Sequence, residues 1–590
     1  MLCAQEIAGA FHIQVTASPE QTLERIESVV REDLERIRRE PPSERELSAA
    51  KNRIESHHVR QLERFGGFGG RADQLNYYNT IAGDPGIINS DLDRYLAVTE
   101  ADVQRVASST LGESHVRLSI LPERTLSPTA SAIDRSAMPK PSAPPHFSPP
   151  VPSRARLSNG LNILFLEKPG LPMVGFGMLL RSGAVTDPPG DPGLSDMTAS
   201  LLPEGTTSRS SQQIADELEF LGLHLGADVA REIVLFSTET LSSNWAAALE
   251  IMADVLRNPT FPHEEVERIR KERLTDLRRV ADNPVAIATR ASRALLYGPE
   301  TPYGHPVTGT ERSVEGITRE QLMGHYASHY GPENATFIVV GAVTQDDVVS
   351  MAEEHFGDWS PRSAPPEHPA VDAKPVPAVP TTIFLADKPD AAQSVIRAGH
   401  LTIRRHHPDY FALNRLNYIF GGQFSARLNM NLRQDKGYSY GYQSTIDWLT
   451  GQSALIAGGG VQTAVTKDAV LETLHEFAGI RVDRPVTQEE FESATDGIRR
   501  ALPSQFETQG QTLHQLTRLV VFDLPDDYYS HYIANLEAVT LADVHRVAQE
   551  QIDDRHLKVL VVGDRKILEP GLRELGLPIV SVDHEGRPLP

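Results

Sequence analysis

One ten-residue pattern closes two distant stretches of the chain. Val98-Thr99-Glu100-Ala101-Asp102-Val103-Gln104-Arg105-Val106-Ala107 returns as Val539-Thr540-Leu541-Ala542-Asp543-Val544-His545-Arg546-Val547-Ala548. In both copies Thr stands where a helix N-cap is expected and Asp stands at N3, a capping-box variant ahead of an amphipathic helix. Ile317-Thr318-Arg319-Glu320-Gln321-Leu322 is a looser third copy. Each copy precedes an expected strand: Val116 to Leu121, Thr336 to Val340, and Leu557 to Val562. Each also follows an expected capped helix, opened by Ser43-Glu44-Arg45-Glu46-Leu47, Pro262-His263-Glu264-Glu265-Val266 or Thr487-Gln488-Glu489-Glu490-Phe491. The same α+β unit therefore ends three times. A repeat on this scale commits the chain to an array of homologous units, not one large core.

Two Pro-rich stretches separate the units: PKPSAPPHFSPPVP, within 126–153, and APPEHPAVDAKPVPAVP, within 361–379 and its edge. Such composition favours extended polyproline II backbone over packing. The expected division is an incomplete unit at 1–125, a linker at 126–153, a complete unit at 154–360, a linker at 361–379 and a complete unit at 380–590. Asn159-Gly160, between apolar alternating runs, marks a hairpin at the head of the second unit. The N-terminal segment lacks a basic flank and a long apolar core, so it is not a signal peptide. It reads as a strand, Ala8 to Val15, with nothing before it to pair with, the mark of a truncated gene model or fragment.

The net charge of −22 over 590 residues argues against a nucleic-acid partner, which needs clustered Lys and Arg. It would suit cationic peptides. No apolar run reaches the roughly eighteen residues of a membrane span. Cys3 is the only cysteine, which excludes an internal disulfide and any zinc site built on thiolates.

Chemistry concentrates in GGQFSARLNMNLRQDKGYSYGYQS, Gly421 to Ser444. A helix from about Ser425 ends in a cationic turn with Arg433 and Lys436. Gly437 falls where a helix C-cap wants positive φ. A strand then begins with Tyr438, Tyr440 and Tyr442 alternating with Ser439, Gly441 and Gln443. The tight turn lets Arg433 and Tyr440 point into one space, where a guanidinium and a phenol could serve an oxyanion or a peptide carbonyl. The same residues would also suit an ordinary helix–hairpin with a snorkelling Arg and a Tyr ladder.

Gly421, Gly422, Phe424, Ser425, Arg427 and Leu428, followed by Leu432 and Arg433 and then by Gly437 and Tyr440, resemble the substrate-carbonyl motif of the insulinase/pitrilysin-type zinc peptidases, the inverzincins. The Leu157-Ser158-Asn159-Gly160-Leu161 opening is similar to the hairpin that begins domains of that family. The resemblance implies an α+β fold of repeated insulinase-like (LuxS/metallopeptidase-like) domains, each an antiparallel sheet backed by helices. It further implies that Arg433 and Tyr440 serve catalysis on the substrate carbonyl or oxyanion. Tyr438, Gly421, Gly422 and Phe424 are the implied substrate-binding residues.

Hydrolysis in that family rests on a His-x-x-Glu-His helix and a distant Glu. The equivalent frame here is Gly193-Leu194-Ser195-Asp196-Met197-Thr198-Ala199-Ser200-Leu201-Leu202-Pro203-Glu204-Gly205-Thr206. The ligand positions hold Asp196 and Ser200, the base position holds Ala199, and the distant acid falls near Asp276. Such a set neither holds zinc well nor activates water. The expectation is therefore a non-zinc portion of a zinc endopeptidase, binding peptide or unfolded protein and completing the site of a zinc-bearing half or homologous subunit. Zinc belongs to that other half, whether a missing N-terminus or a partner chain. A structural or purely peptide-binding subunit is the alternative. Family resemblance points to the periplasm or cell envelope. Two further features are read as structural: the His325/His329 pair, and Gly458-Gly459-Gly460, the latter serving close packing or substrate-strand pairing. Gly66, Gly67, Gly69 and Gly70 lie inside an expected helical region, as a hinge or part of a substrate tunnel.

Overall fold

The computed structural model describes residues 2–3, 10–15, 22–112, 147–360 and 379–589, with isolated positions between 115 and 118. Of the expected strand Val116 to Leu121 only Val116 and Leu118 are described, neither of them in a strand; its other residues and the bodies of both Pro-rich linkers lie outside the described residues.

Residues 22–112 are helical. The largest elements are Leu23–Arg39, Glu44–Glu63 and Glu100–Thr110. Ser43, Thr99, Thr318, Thr487 and Thr540 all form complete capping boxes, each N-cap hydroxyl accepting from the N3 amide while the N3 side chain reaches back. Pro262 departs from the expectation, because the helix His263–Asp282 has no side-chain cap. Proline has no side-chain acceptor to cap the helix, and Glu264 and Glu265 in the first turn compensate the positive helix end instead. The N-terminal strand also differs: Ala10–Phe11 does have a partner, pairing antiparallel with Leu2–Cys3.

Each complete unit is built on a six-stranded sheet. In the first, the spatial order is Ser153–Arg156, Asn162–Glu167, Ala335–Gly341, Met173–Leu180, Val234–Leu241, Gly226–Val229. In the second it is Ile579–Val582, Thr382–Asp387, Lys558–Gly563, Gln393–Thr402, Ser453–Gln462, Ser439–Asp447. The inner four strands of the two sheets correspond one for one in order and direction. The sheets are mixed, not purely antiparallel. Asn162–Glu167 runs parallel to Ala335–Gly341, and Thr382–Asp387 runs parallel to both Lys558–Gly563 and Ile579–Val582. The chain between Asn162–Glu167 and Ala335–Gly341, and between Thr382–Asp387 and Lys558–Gly563, is long enough to make the crossover that parallel strands require, and it carries both helices and further strands of the same sheet.

The strand MVGFGMLL, Met173–Leu180, is buried at all eight positions, so both faces of the sheet are covered. On one face Val174, Phe176, Met178 and Leu180 pack into the unit's own core with Trp245, Leu249 and Phe337. On the other face Leu179 joins Leu164, Leu166, Leu235, Ile338 and Val340 against Leu513, Leu516, Leu519 and Phe522. Those last four belong to, or directly follow, the second unit's helix Gln509–Val521. The exchange is reciprocal. Ile287, Ala288, Ala291 and Leu295 of the first unit's helix Pro284–Tyr297 cover Ala386, Val395, Leu560, Val562 and Val582 of the second sheet. Polar contacts edge the crossings. Lys168 Nζ donates to the carbonyls of Phe506 (2.9 Å) and Glu507 (2.8 Å), and Tyr297 donates its hydroxyl proton to the carbonyl of Gln452 (3.0 Å). The N-terminal unit docks through Glu44–Glu63 onto the helix Ser211–Phe220, with Asn52 Nδ2 donating to the Phe220 carbonyl (2.7 Å).

Because each core is closed by its neighbour's helix, the two complete units are expected to unfold together. Truncating the fully buried Leu519 to Ala should cost about 2–5 kcal/mol. Hydrogen exchange under rising urea should show Met173–Leu180 and Gln393–Thr402 losing protection in one step. Two separate steps would refute the shared core.

Candidate functional site

The motif segment is held by side chains that bind backbone. Helix Tyr410–Phe420 ends at Gly421, where a Cβ would lie 2.5 Å from the Ser444 amide nitrogen, so only glycine allows the strand to pass. Ser444 N donates to the Gly421 carbonyl (3.0 Å), and Ser444 Oγ donates to Asn417 Oδ1 (2.7 Å). A short helix, Arg427–Asn429, runs on into a wide π-type turn, Met430–Asp435. It therefore starts slightly later than Ser425 and is less regular than expected. Gly437 takes φ +66°, the left-handed turn that sends the chain back as the strand Ser439–Asp447. Asn429 bridges the two limbs: its Oδ1 accepts from Tyr442 N (3.1 Å) and its Nδ2 donates to the Phe424 carbonyl (2.6 Å). Arg427 is structural, paired with Glu490 through two nitrogens (2.6 Å each).

The strand Ser439–Asp447 lies at the edge of its sheet and carries a bulge. Ser439 pairs with Val461 and Tyr442 with Gly459, leaving Tyr440 and Gly441 facing a single partner residue. A bulge re-aims side chains. Tyr440 is 89% exposed as a result, whereas Tyr442 is buried with its hydroxyl on Thr473 Oγ1 (2.7 Å) and Tyr438 packs against the core. The Arg433 guanidinium lies between two rings, its Cζ 4.5 Å from the Phe424 centroid and 5.0 Å from that of Tyr440. Cation–π contacts fix the guanidinium plane but use none of its N–H groups. Among the described residues, neither Arg433 nor the Tyr440 hydroxyl makes a hydrogen bond or ion pair. Gly422 is exposed and Phe424 is more than half exposed, so the clamp opens to solvent. The strand Ser453–Gln462, which holds Gly458 to Gly460, is paired on both sides and has no free edge for a substrate strand.

The helix expected to stand in the place of a zinc helix is Leu194–Leu201 in the first complete unit. Its start is fixed by Asp187, which accepts from Gly193 N (2.8 Å), Ser195 N (2.7 Å) and Ser195 Oγ (2.6 Å). Burial pushes the Asp187 carboxyl up to about 7 against those three hydrogen bonds. Asp196 is buried, and its Oδ2 meets Arg273 Nη2 at 2.5 Å. The same Nη2 lies 3.4 Å from Ser200 Oγ. Burial lifts the Asp196 carboxyl to about 6, with Arg273 pulling the other way. Asp276 does not join this group. It sits one turn farther along the helix His263–Asp282, mostly exposed, 3.6 Å from Arg279. Arg273 is therefore the residue on that helix that faces Asp196, and Ala199, fully buried, has no donor atom. The residues present do not fit a zinc ion, because a guanidinium holds the carboxylate a metal would need. Among the described residues no group of three or more His, Cys, Asp or Glu could hold a metal.

His325 and His329 stack with ring centroids 4.2 Å apart. His325 Nε2 lies 3.2 Å from Ser195 Oγ, and His329 Nδ1 lies 3.0 Å from the His325 carbonyl oxygen. Burial, aided by His329, pushes the His325 imidazole down to about 3. Asp187, Ser195 and His325 do not make a nucleophilic triad. The carboxylate bonds the serine and not the imidazole, and Ser195 is fully buried. Gly66 to Gly70 form a loop between the helices Glu44–Glu63 and Arg71–Tyr77, not helix interior.

Comparison with known proteins places this geometry. Residues 163–310 match the family described as "Insulinase (Peptidase family M16)", and residues 316–498 match "Peptidase M16 inactive domain". An uncharacterized zinc protease of Mycobacterium tuberculosis is 26% identical over 406 residues, covering 69% of this chain and 92% of its own length. The uncharacterized zinc protease YmxG of Bacillus subtilis is 22% identical over 410 residues, covering 69% of this chain and 97% of its own. Among solved structures, a peptidase M16 inactive domain from Pseudomonas fluorescens superposes with a TM-score of 0.63 at 23% identity, over 70% of this chain and 98% of that one. The periplasmic protease PqqL from Escherichia coli gives 0.60 at 15% identity, over 72% of this chain and 49% of its own. The chain belongs to the insulinase family, peptidase M16, and carries a domain of that family's inactive type.

Two stability predictions follow from the degenerate site. Arg273→Ala leaves a buried, unpaired Asp196 and should destabilise by about 3–5 kcal/mol. The double variant Asp196→Leu/Arg273→Leu should recover most of that loss in urea denaturation; failure to recover would show that the pair is not what Arg273 contributes. For His325, the folded pKa lies below the unfolded value of 6.5, so only the unfolded state takes up the proton between those values. Stability is then fully present above pH 6.5 and falls as pH drops toward 3, by up to about 1.4 kcal/mol per pH unit. His325→Gln should flatten that slope, measured as the unfolding free energy from pH 7 to 4.

Proposed function

We propose that this chain is the non-zinc half of an insulinase-type endopeptidase, binding an extended peptide or unfolded protein and completing the active site of a zinc-bearing half. The observation that carries the reading is the Arg433 clamp: a guanidinium held flat between Phe424 and Tyr440 with its N–H edge open, beside an exposed phenol on a bulged edge strand. Those donors suit a peptide carbonyl oxygen and the negative charge that develops on it during hydrolysis. Tyr440 and Arg433 are the proposed catalytic residues. Phe424, Gly421 and Gly422 shape the approach. Tyr438, packed on the core, contributes less directly than its position in the motif suggests. Zinc and the water-activating base would come from the other half, since Asp196 is committed to Arg273. The periplasmic relative PqqL supports an envelope or periplasmic setting. No helix among the described residues is long and apolar enough to cross a membrane.

A quenched fluorescent peptide library tests the reading, with the chain alone and mixed with an insulinase-type half that carries an intact His-x-x-Glu-His helix. Cleavage is expected only in the mixture. Arg433→Ala should lower kcat by about 100- to 1,000-fold, the usual loss for one oxyanion donor. Peptide affinity in the chain alone, indifferent to chelator and without cleavage in the mixture, would make it a binding module. Neither binding nor cleavage would make it a structural subunit.

A further inference from the structure

The N-terminal unit repeats an element whose counterparts are both committed to covering a neighbour's sheet. Counting back from the shared Val98–Val103 and Val539–Val544, Phe65 falls on Phe506, Phe68 on Gln509, Leu75 on Leu516 and Ile81 on Phe522. All four second-unit residues are buried, and Phe506, Leu516 and Phe522 pack on the outer face of the first unit's sheet. Their N-terminal counterparts are not. Phe65 is 66% exposed, Leu75 38%, Ile81 46%, and Phe68 is fully exposed at the tip of the glycine loop. They sit on or beside the helix Arg71–Tyr77 and the turn Tyr78–Ala82. Among the described residues no third six-stranded sheet is present to receive them. The patch also borders an interface already formed, since Phe65 N donates to Glu507 Oε1 (2.6 Å) at the foot of the helix Gln509–Val521.

We infer that Phe65, Phe68, Leu75 and Ile81 form a docking surface for the aliphatic outer face of a six-stranded sheet in the zinc-bearing insulinase-type unit. The inference rests on the proposed function for the identity of that partner. The mode of contact comes from the chain itself: twice in this molecule, a helix at this place in the repeat closes the outer face of another unit's sheet. The receiving face has a defined chemistry. In the first unit it presents Leu164, Leu166, Leu179, Leu235, Ile338 and Val340, branched aliphatic side chains brought to one side by strand alternation. Exposed aromatic and aliphatic side chains grouped in one patch are the usual mark of such a contact.

The test mixes the full chain with a purified insulinase-type unit bearing an intact His-x-x-Glu-His helix and follows association by sedimentation velocity. A complex is expected, with residues 65–82 gaining hydrogen-exchange protection within it. Leu75→Asp/Ile81→Asp should weaken association at least tenfold, and so should Phe68→Ser, which removes a side chain with no packing of its own to lose. Val285→Asp, exposed elsewhere, should leave association unchanged. Absence of a complex would overturn the inference, as would a complex in which residues 65–82 stay unprotected and these variants bind normally. A complex that forms through this patch yet cleaves no peptide would sink the proposed function and leave the docking surface standing.

Discussion

The structure depends on an exchange of helices. Each six-stranded sheet has two apolar faces, and its own unit supplies cover for only one. The second face is closed by a helix from the other complete unit, Gln509–Val521 in one direction and Pro284–Tyr297 in the other. An all-apolar strand such as Met173–Leu180 is tolerable only because that cover exists; exposed, its outer residues would invite aggregation. The exchange also fixes the relative placement of the two units. The helix Leu194–Leu201 in the first and the Arg433 clamp in the second thus belong to one packed body.

The helix Leu194–Leu201 shows how a buried carboxylate is satisfied by a side chain from a neighbouring helix. A buried carboxylate needs a cation, and burial alone would drive Asp196 to protonate. In a zinc enzyme the metal supplies that charge. Here Arg273 supplies it from the helix His263–Asp282, reaching both Asp196 and Ser200. The tie between the two helices is a charge-assisted contact between side chains. A guanidinium has no exchangeable water to activate, and Ala199 has no side-chain base.

The legible parts of the sequence were those encoded within a few residues. The five capping boxes could be read because Ser or Thr and its N3 partner lie within one helical turn of each other. Gly437 could be read for the same reason: the left-handed turn is a demand of the local backbone. The helix exchange could not, since nothing in an amphipathic helix says whose sheet it will cover. Arg273 was missed because the family frame points to Asp276, and only the helix orientation shows that the residue one turn earlier faces inward. The two-residue ladder joining Ala10–Phe11 to Leu2–Cys3 was missed because so short a pairing leaves no periodic signal. The bulge at Tyr440 was invisible to strict alternation, which would have put Tyr438, Tyr440 and Tyr442 on one face.

That bulge separates the three tyrosines into three roles. Regular pairing would place Tyr440 beside Tyr442, whose ring is buried against the helix that carries Thr473. The extra residue turns Tyr440 outward, where its ring meets Arg433. Ser439 holds the distortion: its hydroxyl lies within reach of the carbonyls of Gly441 (2.8 Å) and Gly460 (2.7 Å), donating its one proton to one of them, and accepts from Gly441 N (3.1 Å). The irregularity is thus stabilised by its own hydrogen bonds, and it sits on an edge strand, where a lost ladder bond costs least. A clamp built this way keeps an arginine in one orientation without spending any of its N–H groups. That economy of donors distinguishes Arg433 from Arg427, six residues earlier on the same segment, whose nitrogens are taken up by Glu490 and the carbonyls of Arg484 and Pro485.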